Sequence, residues 1–156
     1  MKPNIKLLIK SIALPLLVGL ISGLLTRNAM QDFQTLVKPP LAPPGWLFPV
    51  VWTILFALMG ISAARVSLAE PSKARSWGLN LFIAQLAVNF FWPLFFFNLQ
   101  AFGFAFIWLI LLWVLVEATI WMFWRVDQTA AWLLVPYSAW LTFAAILNAA
   151  VWIMNS

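Results

Sequence analysis

The chain has 156 residues, 65% apolar and only 8% charged, with a net charge of +5. A soluble domain carries about 25% charged residues, so this surface does not face water, and the basic residues are scattered without a run, which argues against nucleic acid. Eleven Trp stand beside no His and no Cys, which removes the usual haem and zinc ligands, every thiol nucleophile and any disulfide.

Five segments reach the about 20 apolar residues that a membrane span needs: 7–26, 46–64, 77–97, 102–124 and 130–153. Backbone polar groups in hydrocarbon must be satisfied within their own segment, so each span is a helix. The expected fold is a single all-α domain over 1–156, an integral membrane bundle of five transmembrane helices.

The first span follows Lys2 and Lys6 and contains Lys10, a charged start that a signal peptide shares. Arg27-Asn28-Ala29 lacks a small-x-small cleavage pattern and the segment is long enough to cross, so it reads as a retained span. Gly19 and Gly23 form a GxxxG that permits close helix approach, within the bundle or between protomers. Lys2, Lys6, Lys10, Arg65, Lys73, Arg75 and Arg125 fall on one side of the five spans, Arg27 and Lys38 on the other. That bias places the N-terminus in the cytoplasm for a plasma-membrane protein.

The connection 27–45 exceeds the roughly 12–15 residues beyond which structureless loops are usually functional. Pro39, Pro40, Pro43 and Pro44 forbid a regular helix and pre-set an extended path. A stiff connector fits these facts; a lid over one mouth of the bundle, carrying Lys38, Pro39, Pro43 and Pro44, fits both length and stiffness.

Span three carries Gln85, Asn89 and Pro93 at i+4 spacing on one face. Pro93 cannot donate to the Asn89 carbonyl, which predicts a kink beside Trp92. Asn89 then serves as interhelical glue, as a polar anchor for a ligand, or as both. Glu117 in span four is the only acid inside a span. With no base at its depth, it is expected to stay neutral or to meet Ser, Asn or Gln on a neighbour rather than to relay protons.

Span five repeats the proline device at Pro136. Ser138, Thr142, Ala145 and Ala149 form a small-residue stripe suited to close packing. Beside it, Trp140, Ala144 and Asn148 offer a ring, a gap and a polar contact, as a cavity wall would. Trp46, Trp77, Trp124 and Trp132 lie at span ends and Trp152 belongs with them, where an aromatic belt accounts for them. Of the deeper six, Trp52, Trp92 and Trp140 sit on the helices bearing the loop anchor, the kink and the gap. These three are the candidates for stacking on a flat apolar ligand.

The ordered set Lys38-Pro39, Pro43-Pro44-Gly45-Trp46, Trp52, Gln85 to Pro93, Pro136 to Ala144 and Asn148 resembles the TspO/MBR family of tryptophan-rich sensory and translocator proteins. The resemblance implies a five-helix bundle, often a homodimer, in a lipid bilayer; a bacterial plasma membrane is the expected location. It implies a pocket, closed by the first loop, for porphyrins and for benzodiazepine-like or isoquinoline ligands. By position the pocket takes in Trp52, Phe56, Asn89, Trp92, Phe104, Trp140, Ala144 and Asn148. No catalytic residue and no metal site is assigned; no cofactor is required, and porphyrin (protoporphyrin IX) is the expected ligand. With no His or Cys to coordinate iron, metal-free porphyrin is favoured over haem, with Asn89 and Asn148 orienting its polar edge.

Two departures bear on activity. Asp32, followed by Phe33, stands where the family often has the first of two aromatics, and Leu41 stands where Trp is usual between the prolines. The family links a loop Trp and the residue matched by Trp140 to light-dependent porphyrin breakdown, so enzymatic breakdown is not the expectation here. Sterol recognition is tied to a Tyr followed by a basic residue late in helix five, and no basic residue follows Tyr137. The expected function is a porphyrin-binding receptor or sensor with a regulatory or transport role. A tetrapyrrole transporter is the alternative, although paired broken helices in related halves are missing from the sequence. A porphyrin-degrading enzyme and a ligand-free assembly scaffold rank below it.

Overall fold

A computed structural model describes residues 5–33 and 42–155. Five helices follow in chain order: α1 Ile5–Phe33, α2 Leu47–Ser67, α3 Lys73–Pro93, α4 Phe102–Val126 and α5 Gln128–Met154. All are long and apolar enough to cross a bilayer, and no strand occurs among the described residues. The chain is therefore a multi-pass integral membrane bundle.

The helices form a ring in which α2 packs on α1 and α5, α4 packs on α5 and α3, and α3 returns to α1. The α3–α4 and α4–α5 neighbours follow from their short connections. The closing contacts to α1 and α2 come from small residues. At Gly60 on α2, any Cβ would run into the α1 backbone at Ser11 and Ile12. At Gly19 on α1, it would run into the Phe56 ring. These two glycines let the helices approach in a solvent that supplies no hydrophobic drive between them. Gly23, the second half of the GxxxG, meets nothing within 4 Å, so only half of that motif packs within the bundle.

Hydrogen bonds tie the ring where the ends meet. Ser62 Oγ on α2 donates to the Ala130 carbonyl on α5 at 2.7 Å. Asp127 caps α5 by accepting from the Thr129 N–H and accepts Arg65 Nε of α2 at 2.6 Å. Arg65 is half exposed, so this pair contributes little by itself.

Two sequence expectations change. The first loop does not begin at Arg27, because α1 runs on through Phe33. The apolar span ends near Thr26, yet Asn28-Ala29-Met30-Gln31 contains no Pro or Gly to stop a helix, so polarity marks the membrane edge and not the helix end. Lys38, Pro39 and Leu41 lie outside the described residues. Pro43 and Pro44 lead directly into α2, whose first N–H, from Leu47, meets the Pro44 carbonyl at 3.0 Å.

The second change is at Pro93. The expected kink is a π-helical segment, Leu94–Asn98. It is closed by bonds from Leu99 N–H to the Leu94 carbonyl and from Ala101 N–H to the Phe95 carbonyl, both 3.0 Å. The missing proline donor loosens the ladder and a wider turn takes up the slack. The Phe90 carbonyl, next to the one that Pro93 deprives, accepts Ser22 Oγ of α1 at 3.0 Å.

Candidate functional site

The interior between α2, α3 and α5 is lined by rings and amides. On α2, Phe48, Trp52 and Phe56 follow at i+4 and share one face. Trp52 sits 5.5 Å from Phe56 and edge-on to Tyr137 of α5 at 6.0 Å. Phe48 meets Trp140 edge-on at 5.9 Å, and Trp140 leans on Phe143 at 5.3 Å.

Two buried polar chains cross this interior. In the first, Asn89 Nδ2 donates to the Tyr137 hydroxyl at 2.6 Å. That hydroxyl donates in turn to Gln85 Oε1 at 2.7 Å, and Gln85 Nε2 lies 4.0 Å from Met59 Sδ. In the second, Trp92 Nε1 donates to Asn148 Oδ1 at 3.1 Å, and Asn148 Nδ2 donates to the Phe102 carbonyl at 2.9 Å. Each chain links α3 to α5, and the second also reaches α4. Buried polar groups need partners, and these find them inside the protein.

The expected site residues therefore divide. Phe56, Asn89, Trp92, Ala144 and Asn148 are buried, Trp52 and Trp140 half-buried, all on the α2–α3–α5 walls. Phe104 is not with them. It is 52% exposed, its ring against Phe95 at 4.9 Å and Trp108 at 6.1 Å. The buried face of α4 runs through Phe102, Ala105, Leu109, Leu112 and Val116, and residue 104 is turned about 100° from residue 105. Asn89 bonds across helices, as its glue reading allowed, and Asn148 does the same. Pro43 is half-buried and Pro44 exposed at the start of α2.

One polar atom in this wall stays unmatched. Trp140 Nε1 is buried with no hydrogen-bond partner, one helical turn from buried Ala144. By contrast, Trp108 Nε1 donates to the Val88 carbonyl at 2.8 Å. Trp46, Trp77 and Trp132 are 60% exposed or more, and so is Trp121 of the deeper six. Glu117 accepts Ser138 Oγ, while Trp113 Nε1 donates to Thr142 Oγ1 at 3.1 Å, so the small-residue stripe of α5 faces α4. The acid thus meets a hydroxyl on a neighbouring helix, one of the outcomes its lone position allowed.

Sequence reasoning missed Tyr137 and Phe48. Tyr137 is the only Tyr in the chain and lies eleven residues before Asn148, about three helical turns and hence on the same face; a lone Tyr at membrane depth is a signal that could have been used. Phe48 could have been found from its i+4 relation to Trp52.

A five-helix membrane bundle with an aromatic interior crossed by amide–phenol and indole–amide bonds defines the class. A sequence profile of the TspO/MBR family matches residues 11–153, and the chain belongs to that family. It is 44% identical over 124 residues to Protein CrtK of Rhodobacter capsulatus, covering 79% of this chain and 78% of that one. It is 39% identical over 157 residues to the Tryptophan-rich protein TspO of Chlorobaculum tepidum, covering 99% of each. It is 36% identical over 142 residues to the Translocator protein of Bos taurus, covering 89% of this chain and 84% of that one.

Proposed function

We propose that this protein is a membrane receptor with a regulatory or transport role, taking a porphyrin-type ligand against the walls formed by α2, α3 and α5. The observation that carries the reading is Trp140: a half-buried ring between Phe48 and Phe143, with its buried N–H unmatched, beside the small side chain of Ala144. A flat ligand that stacks on this ring and offers an acceptor, such as a carboxylate, satisfies both needs. Trp52 supplies a second ring. Asn89 and Asn148, engaged with Tyr137, Trp92 and Phe102, hold the walls in place rather than grip the ligand, and Trp140 Nε1 takes over the polar edge. The names of the relatives, sensory protein and translocator protein, agree with sensing or transport.

Metal-free protoporphyrin IX is the first ligand to test, since the chain has no His or Cys to coordinate iron. Benzodiazepine-like and isoquinoline compounds share its flat apolar character. The bacterial plasma membrane, with a cytoplasmic N-terminus, rests on the uneven placement of Lys and Arg, and a homodimer on the family resemblance.

Titrating detergent-solubilised protein with protoporphyrin IX in the dark, with Trp fluorescence as the readout, tests the reading. Ring pairs add about 0.5–1.5 kcal/mol beyond area burial, or roughly two- to tenfold in affinity. Saturable quenching is expected, weakened by about that factor in Trp140→Leu and in Trp52→Leu, which lose the ring. Linear quenching unchanged by either substitution would mean partition into the micelle and would set the reading aside.

A further inference from the structure

A second feature lies outside these walls. Lys6, Lys10, Arg65, Lys73, Arg75 and Arg125 gather at the bundle end where α1 and α3 begin and α2 and α4 finish. Among the described residues only Glu70 and Asp127 oppose them there, and Asp127 is already paired with Arg65.

Near this rim, a cavity of about 230 Å³ lies between α1, α2 and α3. Leu14, Ala63, Leu79, Phe82 and Ile83 form its apolar wall, and Ser11 and Ser67 add hydroxyls. Leu14 and Ile83 remain 45% and 53% exposed, so the cavity opens sideways toward lipid.

Arg75 is not part of this lining but is bonded to it. Its Nη2 donates at 2.9 Å to the carbonyl of Ser67, the last residue of α2 and part of the cavity lining. Its Nε is buried with no partner. Leu79, one turn along α3 from Arg75, belongs to the apolar wall, so the guanidinium and the wall share a helix face. A buried donor on a cation calls for an anionic acceptor.

We propose that this cavity binds an anionic phospholipid, whose phosphate accepts from the Arg75 guanidinium while one acyl chain lies along Leu14, Leu79, Phe82 and Ile83. Basic pockets between transmembrane helices hold anionic head groups in this way, and the planar donor fork of Arg suits phosphate better than a point charge does. A second copy of this chain would cover the apolar wall without supplying the phosphate. A zwitterionic lipid supplies the phosphate, but its cation opposes the positive rim.

The full chain in mild detergent, exchanged with dioleoyl phosphatidylglycerol or dioleoyl phosphatidylcholine, is read by native mass spectrometry for retained lipid. The anionic lipid is expected to be the better retained, because it lacks the choline cation that the basic rim repels. Arg75→Gln removes a charge-assisted hydrogen bond to the phosphate of either lipid and is expected to lower retention of both by about tenfold or more. Ala63→Phe, which fills the cavity, should lower retention of both lipids. Inorganic phosphate should displace neither. Equal retention of the two lipids, retention of phosphatidylglycerol unchanged by Arg75→Gln, or displacement by inorganic phosphate overturns the proposal. So does an Ala63→Phe protein that keeps its lipid and loses its dimer, which would make the cavity an interface between copies. Should Arg75→Gln fail to fold, Ala63→Phe decides: a Tm margin in phosphatidylglycerol over phosphatidylcholine that Ala63→Phe removes upholds the site, and a margin that it keeps, as the basic rim alone would give, overturns it.

Discussion

Gly60→Val is expected to detach α1 from α2. The added Cβ meets backbone atoms of Ser11 and Ile12, and backbone cannot swing aside as a long side chain can. Overpacking of a tight interface usually costs about 1–3 kcal/mol, occasionally more, and the absence of any soft neighbour puts this site at the upper end. That corresponds to a fall in Tm of about 6–12 °C for a chain of this size, read by thermal unfolding in detergent. Gly60→Ala should lose less but still clearly destabilise. Gly23→Ala is the contrast: its Cβ meets nothing within 4 Å, and Ala favours a helix interior over Gly by up to about 1 kcal/mol. Gly23→Ala should therefore hold or raise Tm. Equal losses at Gly60 and Gly23 would refute the packing described for α1.

Tyr137→Phe should destabilise by about 1–2 kcal/mol while keeping the bundle folded. The hydroxyl accepts from Asn89 and donates to Gln85, so its removal strands a buried donor and a buried acceptor together. In a water-soluble core each orphan costs about 1–3 kcal/mol. Within membranes, hydrogen bonds between helices average about 0.6 kcal/mol, because the unfolded chain in lipid also finds partners. Two lost bonds at the membrane value set the lower bound, and the enclosed position, with Tyr137 at 1% exposure, sets the upper. Adding Gln85→Leu and Asn89→Leu to Tyr137→Phe removes the orphans themselves and should recover part of the loss. A triple variant less stable than Tyr137→Phe alone would show that packing, and not the phenol bridge, dominates there.

The five spans were legible because membranes impose a length and a composition, and the apolar runs match the helices to within a few residues at most ends. The end of α1 was not, because the bilayer edge changes polarity without stopping a helix. The partners of Asn89 and Asn148 were also hidden. Spacing puts Gln85 and Asn89 on one face, but only the rotation of α5 against α3 decides that Tyr137 meets them. The outward position of Phe104 was hidden for the same reason: the inward face of α4 runs through Phe102, Ala105 and Leu109. The role of Gly60 depends on how closely α1 approaches, which no residue pattern within α2 encodes. Trp140 was legible as a candidate from its small and polar neighbours at i+4 and i+8, and its unmatched N–H emerged only from the packed structure.

The most direct test of the α2–α3–α5 walls as the ligand site is to fill them. Ala144 is 5% exposed on α5, one turn from Trp140 and one from Asn148, and Ala144→Phe places a ring where the ligand is proposed to lie. Dark titration of this variant with protoporphyrin IX, alongside circular dichroism to confirm the helices, gives the answer. The account predicts a folded bundle with saturable binding lost or weakened by at least about tenfold, equivalent to about 1.4 kcal/mol. A folded Ala144→Phe protein that binds protoporphyrin IX as the unaltered chain does would place the ligand elsewhere and contradict the account.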